Sequence, residues 1–250
     1  MEKMQTGDAA MTTAKPPFPS LVLSSAWVVA YLPIQQLFIG ILAAFVTFAF
    51  EGAERAQILA ANNGTIIFGG LIAAAFLQIW LMWLYLRNDD RTNKIGLNHY
   101  SQLSISRTFL VAFGALILAA TFNFLYANVV LSGQPMQDQM NTLLDSIPKT
   151  PFNIALILLA ITVVAPIFEE LLFRGLLQNA LLRYLPAWGA ITLSAFSFSV
   201  IHLQPVAIPA LMALGAAFGY IYHKTGSLRI TIILHMANNV LALVMTQLVN

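Results

Sequence analysis

Seven apolar stretches, each near the length that crosses a bilayer, constrain this chain more than any other feature. They run over 20–50, 65–87 and 106–132, then from Pro151 to about Tyr184, Pro186 to Leu203, Pro205 to Tyr222 and Ser227 to Val249. A helix needs roughly 20 apolar residues to span a ~30 Å hydrocarbon core, and the charges here fall between such runs. With 59% hydrophobic and 9% charged residues, the composition is far from that of a soluble domain, where about a quarter of residues are charged. The alternating pattern of a β-barrel is absent, as are internal repeats. The expected fold is all-α, a polytopic transmembrane helical bundle with about seven membrane spans.

Three regions follow: a polar N-terminal tail (1–18), N-terminal transmembrane helices (19–150) and a C-terminal transmembrane region (151–250) in which the intramembrane charges gather. Pro33, Gln35 and Gln36 predict a kink or an interfacial start within the first stretch. Pro151 suits a first helical turn. Gly226 suits a helix end, and Ser227 can cap the helix after it.

A formal net charge of +2 without a basic cluster argues against a nucleic-acid partner. The absence of cysteine excludes disulfides, thiolate zinc ligands, a cysteine nucleophile and S-acylation. Lysine and arginine instead report topology. A cytoplasmic N-terminus places Lys3, Lys15, Arg87, Arg91, Lys94, Arg107, Arg183, Lys224 and Arg229 inside and only Arg55 and Lys149 outside. The expectation is an integral protein of the cell (inner) membrane with its C-terminus on the far side.

Against that background the segment APIFEELLFRGLLQ (165–178) stands out. An ionisable side chain at the centre of a span costs about 2.5–3.5 kcal/mol on insertion scales, so Glu169, Glu170 and Arg174 need a reason. Glu170 and Arg174 are four apart with the acid first, the favoured order for a helical ion pair. Glu169 points elsewhere at 100° per residue and has no partner nearby in sequence. Two later stretches add polar groups: His202 one turn after Phe198, and His235 with Asn239 on one face. Singly, each is explained by helix packing. Together they bring an acid, an imidazole, and an imidazole with an amide to three spans of the C-terminal half.

Such a set suits attack by water on an amide, with a buried carboxylate as general base, an imidazole orienting water and an amide stabilising an oxyanion. A glutamate and two histidines equally suit a divalent metal such as zinc with an open water position, for which Glu169, His202 and His235 are the candidate ligands. No HExxH, GxSG or GxGD motif of other membrane proteases is present, and Ser194, Ser197 and Ser199 read as small packing residues.

The ordered set EELLFR (169–174), FSVIH (198–202) and HMANN (235–239) resembles the three motifs of the CPBP or Abi family of intramembrane CAAX proteases and bacteriocin-processing proteins, over roughly residues 150–250. The resemblance implies an intramembrane endopeptidase acting on a membrane-associated or lipidated protein or peptide. It implies that Glu169 acts with His202 to activate water and that His235 and Asn239 bind the oxyanion. Glu170 and Arg174 then form a supporting pair and Phe198 a packing residue. Family members include enzymes labelled metalloproteases, and a metal-free glutamate mechanism is the expectation preferred here. The alternatives are a non-catalytic scaffold or immunity protein of the same fold, and a proton-coupled transporter. Against the transporter, the chain shows no paired, interrupted halves.

Overall fold

The computed structural model describes residues 18–49, 54, 57–59, 63–132, 142, 144–145 and 147–249. The tail expected at 1–18 lies outside the described residues apart from Phe18, as do Lys3, Lys15 and Arg55.

The chain folds as α1 (Leu21–Ala49), α2 (Asn63–Leu86), the short surface helix α3 (Asp89–Lys94) and α4 (Ile105–Leu125, extended in π form over Tyr126–Val130). There follow α5 (Pro151–Leu181), α6 (Ala187–Val200), α7 (Pro205–Thr225) and α8 (Leu228–Val249). No strand occurs among the described residues. Helices α1, α2, α4, α5, α7 and α8 are each long and apolar enough to cross a membrane.

The fifth of the seven expected spans is a helix, α6, but its 14 residues reach only about 21 Å at ~1.5 Å per residue. Pro186 starts it late, and the chain turns at Ile201 and His202 before Pro205 opens α7. Helix α1 runs unbroken through Pro33 for 29 residues, more than a straight crossing needs, so it must tilt or extend beyond the hydrocarbon.

Large apolar side chains face outward around the bundle, among them Val22, Phe48, Phe109, Leu118, Phe152 and Ile233. In water such a surface would aggregate; against lipid tails it carries no penalty. This is an integral membrane protein. Helix α5 lies at the centre, packed against α1, α2, α6 and α8. The main core collects Tyr31, Met82, Phe168, Phe173, Phe198 and Tyr222 from α1, α2, α5, α6 and α7.

Local signals explain the boundaries. Thr150 Oγ1 accepts the Asn153 N–H at 3.2 Å and Pro151 occupies the first turn of α5, the arrangement the sequence predicts. Gly226 closes α7 in the left-handed region at φ 65°. The hydroxyl of Ser227, at the start of α8, donates across the structure to the His99 carbonyl at 2.6 Å.

That bond belongs to a strap formed by residues 95–102, which crosses beneath the α7–α8 turn. Tyr222 Oη donates to the Ile95 carbonyl (2.9 Å), Leu228 N to Gly96 O (3.0 Å) and Gln102 N to Thr225 O (2.9 Å). Gly96 has φ 70°, and a Cβ there would overlap the Gly226 carbonyl, so this crossing requires glycine.

Candidate active site

Helix α5 does not keep one winding. It is π-helical over Ala160–Val164, α-helical over Ala165–Glu170 and π-helical again over Leu171–Gln178. Pro166 accounts for the first change: its ring crowds the carbonyl of Thr162, and it has no N–H to offer any carbonyl behind it. The helix widens so that Ala165 N bonds Ala160 O. The next carbonyl, Ile161 O, falls opposite Pro166 in the i→i+5 pattern and is taken instead by Asn239 Nδ2 of α8 at 2.9 Å. In the second wide segment, Ser194 Oγ of α6 donates to Phe173 O (2.8 Å) and Asn179 Nδ2 to Gly175 O (3.0 Å). Side chains thus complete the backbone bonding that a bilayer demands.

Between the two wide segments stand Glu169 and Glu170, with relative exposures of 6% and 0%. Arg174 Nη1 donates to Glu170 Oε1 at 2.8 Å, so the helical pair predicted from spacing is formed. Its Nη2 donates to Gly215 O of α7 at 2.9 Å. The guanidinium also lies over the rings of Phe198 (4.8 Å) and Phe218 (5.5 Å), contacts that favour a buried cation. Glu170 has a second partner that spacing did not reveal, since His235 Nδ1 donates to the same Oε1 at 2.9 Å. His235 is 2% exposed and stacks on Phe218 with centroids 4.8 Å apart.

Glu169 faces the other way, into a cavity of about 310 Å³. Its Oε1 accepts a hydrogen bond from Tyr31 Oη of α1 at 3.3 Å, and its Oε2 lies 3.7 Å from His235 Nε2. His202, just beyond the end of α6, and Asn239 line the same cavity. His202 Nδ1 is 2.8 Å from the Phe198 carbonyl. A carbonyl can only accept, so Nδ1 carries the proton and a neutral ring keeps its lone pair on Nε2. Phe198 sits at the hub: its ring meets His202 edge-on at 4.8 Å and His235 at 5.9 Å while lying under Arg174.

The structure therefore brings Glu169, His202, His235 and Asn239 to one cavity wall together with Phe198, while Glu170 and Arg174 are buried outside the cavity lining. Three contributors carry no motif: Tyr31, Gln35 and Gln78. Gln35 lines the cavity one turn after Tyr31, and the fully buried Gln78 of α2 donates to the Tyr31 carbonyl at 3.2 Å. The only trace of Gln35 in the sequence is a polar interruption of an apolar run.

The candidate metal site fares differently. Among the described residues, no group of three His, Asp or Glu side chains converges to hold a metal ion. Glu169, His202 and His235 share a cavity without forming such a group. The carboxylate on Nδ1 of His235 leaves its Nε2 as the ring atom that could ligate.

Fold and site together define a class: a polytopic helical membrane protein with a carboxylate, imidazole and amide cluster lining a cavity among helices long and apolar enough to cross a membrane. Residues 151–241 match the family described as type II CAAX prenyl endopeptidase Rce1-like, consistent with the resemblance carried by the three motifs. No curated protein and no solved structure matches the chain.

Proposed function

We propose that the chain is an intramembrane endopeptidase that hydrolyses a peptide bond of a membrane-associated or lipidated protein by glutamate- and histidine-activated water. One observation carries this reading: Glu169, His202, His235 and Asn239 line a single cavity inside an apolar bundle. Buried charge without chemistry would be expected to be fully paired. Glu169 instead turns its second oxygen to a space large enough for water and a peptide.

In this reading, water held between Glu169 and the free Nε2 of His202 gives a proton to the carboxylate as its oxygen bonds to the carbonyl carbon. Asn239 keeps one amide proton on Ile161 O and has a second for the developing oxyanion. With Nδ1 on Glu170, His235 can donate to the oxyanion only through Nε2–H, as an imidazolium. The proton on Glu169 then passes to the departing nitrogen, the C–N bond breaks, and an acid and an amine leave. The basic strap end of the bundle faces the cytoplasm of the cell (inner) membrane, with the N-terminus on the same side.

The test is cleavage of a lipidated peptide by purified protein, paired with comparative membrane proteomics of cells carrying Glu169→Gln. The variant is expected to fold, insert and lose cleavage, so that fragments present with the wild type disappear. Normal processing by Glu169→Gln would remove the proposal.

A further inference from the structure

The segment that matches the protease family starts at residue 151, yet one of the two groups touching Glu169 comes from α1. We propose that Tyr31 is a positioning residue for Glu169, so that the N-terminal half of the chain completes the site rather than merely anchoring it. This rests on the peptidase reading.

Tyr31 is held from three sides. Its ring stacks on Phe168, the residue before Glu169, with centroids 5.4 Å apart and planes 12° from parallel. Its backbone carbonyl accepts from Gln78 of α2, which fixes its height against a second helix. Its hydroxyl is buried and donates to Glu169 Oε1 at 3.3 Å. That distance is loose for O–H···O, as catalytic contacts often are before substrate binds.

A carboxylate in an apolar cavity can rotate about its last bonds unless something holds one oxygen. Tyr31 holds Oε1, and the constraint aims Oε2 at the cavity and toward His235 Nε2. Among the described residues the Tyr31 contact is the hydrogen bond seen between Glu169 and a separate helix, because the His235 separation of 3.7 Å exceeds hydrogen-bond range. Without the phenol the base is present but unaimed, and misplacement by about 1 Å costs a reaction on the order of a hundredfold.

Tyr31→Phe keeps the ring and its stack on Phe168 while removing the donor. In purified full-length protein, the variant is expected to lose on the order of tenfold to a hundredfold in kcat, with KM and melting temperature unchanged. Infrared difference spectra against Glu169→Gln isolate the Glu169 carboxyl band, which is expected to shift in Tyr31→Phe. A band that stays in place, unchanged kcat, a rise confined to KM, or a lost melting temperature that accounts for the lost activity would each overturn the proposal. If wild-type protein cleaves nothing while the band shifts, the contact stands and the peptidase reading is what falls.

Discussion

Asn239 donates its side-chain amide to the carbonyl of Ile161, 2.9 Å away on the neighbouring helix, a carbonyl that faces a proline where a backbone donor would stand. The bond ties the winding of α5 to the position of a residue on the cavity wall. Asn239→Ala should therefore act twice, orphaning a buried carbonyl at about 1–3 kcal/mol and removing activity. Pro166→Ala restores a backbone N–H near Ile161. Added to Asn239→Ala, it is expected to recover melting temperature in detergent but not cleavage.

Arg174 fills its surroundings with charge, donors and a flat face at once. Arg174→Ala leaves Glu170 short of a partner in a fully buried position, at a cost of about 3–5 kcal/mol, so folded yield should collapse. Arg174→Lys should rescue little. An ammonium cannot both reach Glu170 and Gly215 and lie flat between Phe198 and Phe218, and the yield of the two variants in the same membranes measures the difference.

The chain contains no cysteine, so single introduced thiols report topology directly. Gln204 lines the cavity near the start of α7, and Lys224 lies near the end of the same helix. An impermeant maleimide is expected to label Lys224→Cys from the cytoplasmic side and Gln204→Cys from the opposite side. Labelling of both from one side would refute the assigned orientation.

If glutamate-activated water is the nucleophile, cleavage should survive exhaustive chelation. Metal analysis of the stripped, active protein is the check. Activity that vanishes on chelation and returns with one cation would show that the side chains rearrange around it.

Much of this site is legible in the sequence because its chemistry is local. Glu170 and Arg174 sit at helical spacing, and charged groups in an apolar run have few neutral explanations. The placement of Glu169 on a different face follows from the same geometry. What spacing alone does not carry is contact between distant helices. Tyr31 is one phenol in a long apolar helix, and its meeting with Glu169 across 138 positions is a property of packing. The link from His235 to Glu170 is of the same kind. The widened turns of α5 are half legible: Pro166 announces a disturbance, but a kink, a break and a π segment all satisfy the proline equally well. The short α6 eluded a length count because the apolar run continues past its last turn into His202.

The strap beneath the α7–α8 turn has a mechanical meaning. Four hydrogen bonds, from Tyr222, Leu228, Gln102 and Ser227, sew that end of the bundle shut, while the cavity draws on Gln204 and Leu211 toward the other end of α7 and on Asn238 and Asn239 midway along α8. A stitched end is a fulcrum. Small tilts of α7 against α8 grow with distance from it, so Gln204 and Leu211 would move farther than the residues beside the strap.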